Sequence, residues 1–176
     1  TLALDAARRL GGRPMVLTPT VRALRVIGDE LQRRLQGHGH IEVLVQGQWP
    51  KRRLIERFRE GDANGGAGCI LVASASFWEG VDVPGQALQL VVIDKLPFPP
   101  PGDPLVEARA NQLQAQGRSP FNDYFVPEAA VAPKQGAGRL IRSESDRGLL
   151  VVCDTRIATM GYGRRLRAAL PPVRRL

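Results

Sequence analysis

Five short, almost wholly apolar runs recur along the chain and alternate with segments of helical periodicity. The runs lie at residues 15–17, 41–46, 69–73, 88–93 and 148–154. A continuous apolar run bounded by turn residues is typical of a strand buried on both faces of a parallel sheet. The alternation therefore predicts a doubly wound α/β fold, in which helices flank a mainly parallel sheet, as a single domain over residues 1–176.

The segments between these runs carry apolar residues at helical spacing. Thr20 is expected to cap a helix whose inward stripe is Leu24, Ile27, Leu31 and Leu35. Further helices are expected from Pro50 onward and over residues 103–116, 121–131 and 161–170. Residues 1–12 are interpreted as the end of a preceding helix and its linker, and 171–176 as a basic tail. We therefore expect the chain to be a piece of a longer protein.

The stretch QGAGRLIRSESDRG precedes the last apolar run and combines glycines with arginines. In a helix beginning at Gln135, the side chains of Gln135, Arg139 and Arg142 lie at i, i+4 and i+7, on one face. Carboxamide and guanidinium groups bind anionic oxygens. Gly136 and Gly138 each cost about 1 kcal/mol relative to alanine inside a helix, so a phosphate or a facing backbone is expected to approach closely.

Ligands of open α/β sheets bind beyond the carboxyl ends of the strands. This rule predicts that residues 18–20, residues 74–84 and the start of the Gln135 helix come together. The middle segment contains FWEGVDVPG, in which Glu79 and Asp82 surround a glycine. Two interpretations remain open for it: a turn whose aspartate caps backbone N–H groups, or a loop whose Asp82 accepts hydrogen bonds from a ribose or from the arginine helix.

Composition favours a phosphate-bearing partner. The formal charge is +8, with 25 Lys+Arg against 17 Asp+Glu, and only Lys51, Lys95 and Lys134 are lysines. Arginine binds phosphate oxygens bidentately, although a high-GC genome would give the same arginine bias. Cys69 and Cys153 stand apart in apolar runs, so we expect buried thiols of a cytoplasmic protein without a metal site. No apolar run reaches the roughly 18 residues that span a bilayer.

The order of four motifs along the chain narrows the possible classes of protein. VLTPT, VQG, ASFWEGVDVPG with VVIDKLPFPPPGDP, and QGAGRLIRSESDRG with VVCD follow one another along the chain. This order resembles the C-terminal motor domain of DinG/XPD-type superfamily 2 helicases, especially the bacterial DinG/YoaA-like branch, over nearly the whole chain. The most specific parts are WEGVD with IDKLPF, and QxxGRxxR. The resemblance implies a RecA-like, P-loop NTPase-like fold.

The same resemblance implies roles for individual residues. Gln135, Arg139 and Arg142 would face the γ-phosphate of ATP bound on a preceding motor domain, with the two arginines as arginine fingers. The remaining residues of the nucleotide-facing surface would be Glu79, Gly80, Asp82 and Gly138. Hydroxyls near the single-stranded DNA backbone would be those of Thr18, Thr20, Ser74 and Ser76. Trp78 is interpreted either as a base-stacking platform or as a buried anchor for its loop.

The sequence has no phosphate-binding loop of its own, since it contains neither G-x-x-x-x-G-K-[ST] nor a DEAH-like run. ATP and Mg²⁺ are therefore expected on an N-terminal motor domain of the same polypeptide, where a parent protein could also hold an iron-sulfur cluster. Two isolated cysteines cannot supply such a cluster here. The expected partner is single-stranded DNA or a DNA junction, for a monomer that does not contact membranes.

Two other classes of protein stay open from the residues. One is a non-enzymatic nucleic-acid-binding α/β module, which the positive charge alone permits. The other is a transferase that uses a nucleotide-activated substrate, such as a nucleotide sugar, at the strand ends. Neither gives a purpose to Gln135, Arg139 and Arg142 together with the WEGVD loop, and the transferase lacks an evident base or metal cluster.

Overall fold

The apolar runs form five parallel strands of one sheet. The computed structural model describes residues 14–37, 40–61, 68–78, 88–141, 147–172 and 174, without the side chains of residues 76 and 78. Within these residues the strands are β1 Pro14–Thr18, β2 Ile41–Val45, β3 Gly68–Ser74, β4 Leu90–Ile93 and β5 Leu149–Val152. Their order is β2-β3-β1-β4-β5, and each neighbouring pair is parallel.

The segments between the strands are helical. In the described part of the chain the α-helices are α1 Val21–Leu35, α2 Lys51–Glu60, α3 Pro104–Ala115, α4 Val126–Leu140, α5 Arg156–Thr159 and α6 Gly163–Ala168. A 3₁₀ turn covers Ala75–Trp78 and a π-helical turn covers Phe121–Phe125. The N-cap predicted at Thr20 is confirmed, because its Oγ1 accepts a hydrogen bond from the Ala23 N–H at 3.1 Å.

Successive strand residues point to opposite faces of the sheet, and each face is covered by an apolar layer. On one face Val16, Ile70 and Val92 pack with Leu24 and Leu31 of α1. On the other face the layer includes Met15, Leu17 and Leu71 from the strands, Phe58 from α2 and Leu140 from α4. This alternation explains why the strand sequences are apolar throughout, since both of their faces are covered by helices.

Helix α4 differs from the predicted arrangement. We expected an irregular helix over residues 121–131 and a separate helix beginning at Gln135, whereas one helix runs from Val126 to Leu140 and contains both Gln135 and Arg139. Pro127 sits in its first turn, where a missing N–H costs nothing. Ile141 is extended, with φ −129° and ψ 103°, so the helix ends before Arg142. Arg142 lies outside the described residues, so its place beside Gln135 and Arg139 stays a prediction.

Smaller differences occur near the C-terminus. The helix predicted over residues 161–170 is shorter, Gly163–Ala168, and a separate short helix that was not predicted, α5, precedes it at Arg156–Thr159. Cys69 is buried as expected, but Cys153 is exposed because β5 ends at Val152 and leaves the cysteine beyond the strand. The predicted helix over residues 2–10 lies outside the described residues.

Candidate functional site

The carboxyl ends of β1 and β3 bring two of the predicted hydroxyl residues together. Thr18 and Ser74 are the last residues of these strands and are paired in register. Thr18 is only 1% exposed, and its Oγ1 donates to the Thr20 carbonyl at 3.2 Å. Thr20 itself is exposed, and because its Oγ1 accepts from Ala23, its hydroxyl proton remains for another acceptor. We call this surface, formed by Thr18, Thr20 and Ser74, the hydroxyl edge.

Gln46 completes the hydroxyl edge, and sequence reasoning gave it no role. Its Oε1 accepts hydrogen bonds from the Ser74 backbone N–H at 2.7 Å and from Ser74 Oγ at 3.0 Å. The Gln46 backbone N–H donates to the Val72 carbonyl at 2.9 Å, which fixes the glutamine beside β3. A signal was present in the sequence, since Gln46 is the last residue of a predicted strand and therefore lies at the same edge as Ser74.

The side chains of several other predicted site residues are not among the described parts of the chain. The backbone of Ser76 and Trp78 belongs to the 3₁₀ turn after β3, but their side chains are not described. Glu79, Gly80 and Asp82 lie wholly outside the described residues. Their roles stay predictions.

Asp154 follows the carboxyl end of β5 and bonds to the segment that follows β4. Its Oδ2 accepts from the Leu96 N–H at 3.0 Å and from Arg156 Nη2 at 2.6 Å, and the residue is 7% exposed. The Arg156 hydrogen bonds, followed by those of the backbone N–H groups of Leu96 and Arg156, lower the pKa of Asp154 to about 2. Sequence reasoning gave Asp154 no role, because its partner Leu96 is distant in sequence.

Three aromatic rings lie beside Asp154. Phe98 and Phe121 are stacked with 6.0 Å between centroids, and Tyr162 meets Phe98 edge-on at 5.7 Å and Phe121 at 5.3 Å. The Arg156 guanidinium lies over Phe98, 5.3 Å from the ring centroid. We call Phe98, Phe121 and Tyr162 the aromatic cluster.

Gln135 and Arg139 lie at the opposite edge of the sheet from the hydroxyl edge. A helix that links two adjacent parallel strands runs back against their direction. The first turn of α4 accordingly packs on Leu96, just beyond the carboxyl end of β4. Its last residue, Leu140, lies against Gly148, just before β5: a Cβ at Gly148 would be 2.8 Å from Leu140 Cδ2.

This placement corrects one prediction. The Gln135 segment does not join the loops at Thr18 and Ser74, because the helix starts nine residues earlier than expected, at Val126. Its C-terminal turns are therefore at the amino edge of the sheet. We call the segment from Gln135 to Leu140 the arginine end.

The arginine end presents donors outward and small residues inward. Gln135 and Gly138 are exposed and Arg139 is half-buried, whereas Gly136 and Ala137 face the core. A Cβ placed at Gly138 would have no atom within 4 Å. A carboxamide and a guanidinium beside this open position fit an anionic group such as a phosphate.

The described residues hold no cluster of three or more histidine, cysteine or acidic side chains that could bind a metal ion. Burial raises the pKa of the Cys69 thiol to about 11, which makes it a poor ligand and nucleophile at neutral pH. None of the described helices has the length and apolar character needed to cross a bilayer.

Comparison with known proteins identifies the class of domain that this fold and these two edges define. A family model described as a helicase C-terminal domain matches residues 4–173. The chain therefore belongs to the helicase C-terminal domain family, of the DinG/XPD type. This assignment decides against the transferase alternative.

Three relatives give the particular branch. The chain is 42% identical over 160 residues to the ATP-dependent DNA helicase YoaA of Haemophilus influenzae, covering 91% of this chain and 24% of the relative. It is 41% identical over 165 residues to YoaA of Escherichia coli, covering 93% and 24%. It is 41% identical over 162 residues to the ATP-dependent helicase DinG of Mycobacterium tuberculosis, covering 92% and 23%. The chain thus spans about a quarter of the length of these relatives.

Solved structures agree on the fold. An XPD helicase structure superposes with a TM-score of 0.66 at 18% identity, covering 94% of this chain and 29% of that one. The structure of Xpd4 from S. tokodaii gives a TM-score of 0.55 at 17% identity, with 88% and 29% covered. The predicted RecA-like α/β fold is confirmed.

Proposed function

We propose that this domain is the second half of an ATP-driven DNA helicase motor, with its nucleotide surface at the arginine end and its DNA surface at the hydroxyl edge. The observation that carries the proposal is the separation of the two predicted groups of polar residues to opposite edges of one rigid sheet. A motor needs this separation, because hydrolysis at one surface must move a grip on DNA at another.

The arginine end supplies half of an ATP site. Gln135 is exposed and Arg139 is half-buried, and we propose that they meet the γ-phosphate of ATP bound on an N-terminal motor domain. Arg139 and Arg142 act as arginine fingers, whose charge stabilises the phosphoryl group as it transfers. The open space at Gly138 supports this arrangement, because it leaves room for a nucleotide or a facing backbone. Glu79, Gly80 and Asp82 are proposed to connect this surface to the DNA grip.

The hydroxyl edge supplies a grip that ignores base sequence. Thr20 can donate its hydroxyl proton to a phosphate, and Ser74 can do so after its Oγ rotates away from Gln46. Thr18 is buried and hydrogen-bonded to Thr20, so we propose that it positions Thr20 rather than contacting DNA. Ser76 and Trp78, on the following turn, remain proposed contacts to the backbone and to a base.

The missing half of the site belongs to a second domain. The sequence lacks a phosphate-binding loop, and the matched relatives are about four times as long as this chain. We propose that the same polypeptide carries an N-terminal motor domain that binds ATP and Mg²⁺. An iron-sulfur cluster, if the parent protein has one, belongs to that part. ATP hydrolysis supplies the free energy for stepping along single-stranded DNA or at a DNA junction.

The finger assignment can be tested in the intact protein. Arg139→Ala and Arg142→Ala should each lower DNA-stimulated ATP hydrolysis by roughly 10³-fold or more, as for other well-placed arginine fingers. Arg109→Ala removes a matched guanidinium from the exposed face of α3, where it bonds to Gln112 in the same helix, and should leave turnover near the wild-type value.

The measurement is the steady-state turnover number at saturating ATP and single-stranded DNA. Near-normal turnover in both variants would contradict the assignment. A loss confined to one variant would identify the single arginine that acts as the finger.

A further inference from the structure

The aromatic cluster exposes one of its three rings to solvent. Phe121 is 44% exposed, whereas Phe98 and Tyr162 are half-buried and pack against it. Exposure of a phenylalanine side chain costs hydrophobic free energy, and here the ring is also held in a fixed orientation by two neighbouring rings. A rigid, exposed aromatic face is the arrangement on which nucleic-acid bases stack.

The backbone that carries Phe121 is a π-helical turn, a conformation that is rare and often found at functional sites. The Val126 N–H bonds to the Phe121 carbonyl, five residues back. The next bond in that pattern would need an N–H from Pro127, which has none. The guanidinium of Arg165 replaces it, because its Nη2 donates to the Asn122 carbonyl at 3.0 Å and its Nη1 donates to Asn122 Oδ1 at 3.2 Å.

Arg165, on α6, therefore stabilises the π-helical turn through its bonds to Asn122. This tie joins residues 43 positions apart and fixes where the Phe121 ring projects. Helix propensity and core packing do not require such a tie, since the described residues of the turn are exposed or half-buried.

The charge around the aromatic cluster is predominantly positive. Arg164, Arg165 and Arg167 all lie on α6, the helix that follows Tyr162, and Arg156 lies over Phe98. Asp154 is bonded to Arg156, and Asp123 is bonded to Arg118 at 3.3 Å. Helix α6 itself carries three arginines and no carboxylate, which favours a polyanion as the occupant.

The aromatic cluster lies on the same edge of the sheet as the proposed DNA grip. Phe98 follows β4, whose neighbour β1 ends at Thr18, and the Asp94 N–H donates to the Leu17 carbonyl at 3.0 Å. Neighbouring strands are about 4.8 Å apart, so the distance from β3 to β5 is on the order of 14 Å. A DNA strand of a few nucleotides is long enough to run from Ser74 and Thr20 to Phe121.

We propose that Phe121 is a stacking platform for one unpaired base of the DNA strand that the hydroxyl edge holds by its phosphates. Phe98, Tyr162 and Arg165 are positioning residues, because they orient the ring without taking part in the stack. This inference rests on the proposed function, in which the hydroxyl edge binds DNA. It adds a contact that depends on the presence of a base, whereas the hydroxyls contact only the backbone.

The test compares two oligonucleotides of equal length on the intact protein without nucleotide: oligo(dT), and a strand in which the central residues are abasic. Phe121→Leu keeps apolar bulk in the cluster but removes the ring. It should weaken binding of oligo(dT) by roughly tenfold, the usual size of the loss of one base stack, and leave binding of the abasic strand unchanged. Leu105→Ala is the matched control, because Leu105 is 81% exposed on α3.

Phe121→Trp keeps an aromatic face and should retain the preference for oligo(dT), with tryptophan fluorescence quenched by oligo(dT) beyond the quenching seen in the wild type. This variant also decides the question if Phe121→Leu fails to fold. Equal affinities of Phe121→Leu and the wild type for oligo(dT) would overturn the stacking site, and so would absence of the extra quenching in Phe121→Trp. If the wild type binds neither strand, the proposed DNA grip itself fails along with the stacking site.

Discussion

The hydroxyl edge and the arginine end of this domain differ in how their polar groups are satisfied. At the hydroxyl edge, the Thr18 hydroxyl bonds to Thr20, and both Ser74 Oγ and the Ser74 N–H bond to Gln46. Further along the same edge, Asp154 bonds to Leu96 and Arg156. At the arginine end, by contrast, Gln135 points to solvent and Gly138 has open space around it.

The hydroxyl edge is completed by groups of the domain itself. Partners within the domain pre-organise the hydroxyl edge, so its geometry should contribute to folding stability. The arginine end gains no such contribution at Gln135 and Gly138, and we propose that these two residues serve a partner outside the chain. Substitutions at the first surface should therefore change the stability of the domain, while substitutions at the second should change the activity of the assembled motor.

Asp154→Asn is expected to have the largest effect on stability. The pKa of Asp154 is about 2 in the folded protein, against an ordinary value of 3.8, so its carboxylate stabilises the fold by on the order of 2 kcal/mol at neutral pH. Because the folded pKa is the lower one, this contribution is complete above pH 3.8 and is lost as the pH falls towards 2. Urea unfolding of the wild type and the variant at pH 7, 4 and 2.5 measures it.

The gap in unfolding free energy between these two proteins should narrow as the pH falls. Asp29→Asn, at an exposed carboxylate on α1, is the control and should change stability by less than about 0.5 kcal/mol. A gap that stays constant from pH 7 to 2.5 would show that the charge of Asp154 is not what ties Leu96 to β5.

Gln46→Ala should have the next largest effect. Removal of Oε1 leaves the Ser74 N–H, at the end of a buried strand, without its acceptor, which costs about 1–2 kcal/mol. Gln46→Glu keeps an acceptor oxygen at the same position and should restore most of the loss. Gln48→Ala removes a glutamine whose bond to Gln32 is exposed and serves as the control. Equal destabilisation by Gln46→Ala and Gln48→Ala would mean that the hydroxyl edge is not pre-organised by Gln46.

Gly138→Ala should have the smallest effect on the domain and the opposite sign. A Cβ fits there without contact, and alanine is favoured over glycine in a helix by about 0.5–1 kcal/mol, so urea unfolding should show a more stable domain. In the intact protein the same variant should hydrolyse ATP more slowly, because the methyl group occupies space proposed for the nucleotide or its domain.

Gly117→Ala should change the stability of the domain in the opposite direction to Gly138→Ala. Gly117 has φ +72°, a conformation that costs an L-residue about 1 kcal/mol or more, so this variant should be less stable than the wild type. Wild-type ATP hydrolysis by Gly138→Ala would indicate that nothing approaches the helix at this position and would weaken the proposed nucleotide surface.

Local patterns in the sequence were sufficient to predict the strands, most of the helices and the class of domain. Continuous apolar runs predicted all five strands of the described residues to within a few positions, because a strand covered on both faces must be apolar throughout. The cap at Thr20 and the helix after Pro50 followed from short-range chemistry that needs no distant partner. The order of the motifs was sufficient for the helicase resemblance.

Tertiary structure alone decided where the candidate groups lie relative to one another. The sequence by itself did not reveal that α4 begins at Val126, and this start places Arg139 at the amino edge, away from Thr18. Nor did it reveal the bonds of Gln46 to Ser74 and of Asp154 to Leu96, which join residues 28 and 58 positions apart. Periodicity reports the neighbours of a residue along one element, whereas these contacts depend on which strand ends meet when the sheet assembles.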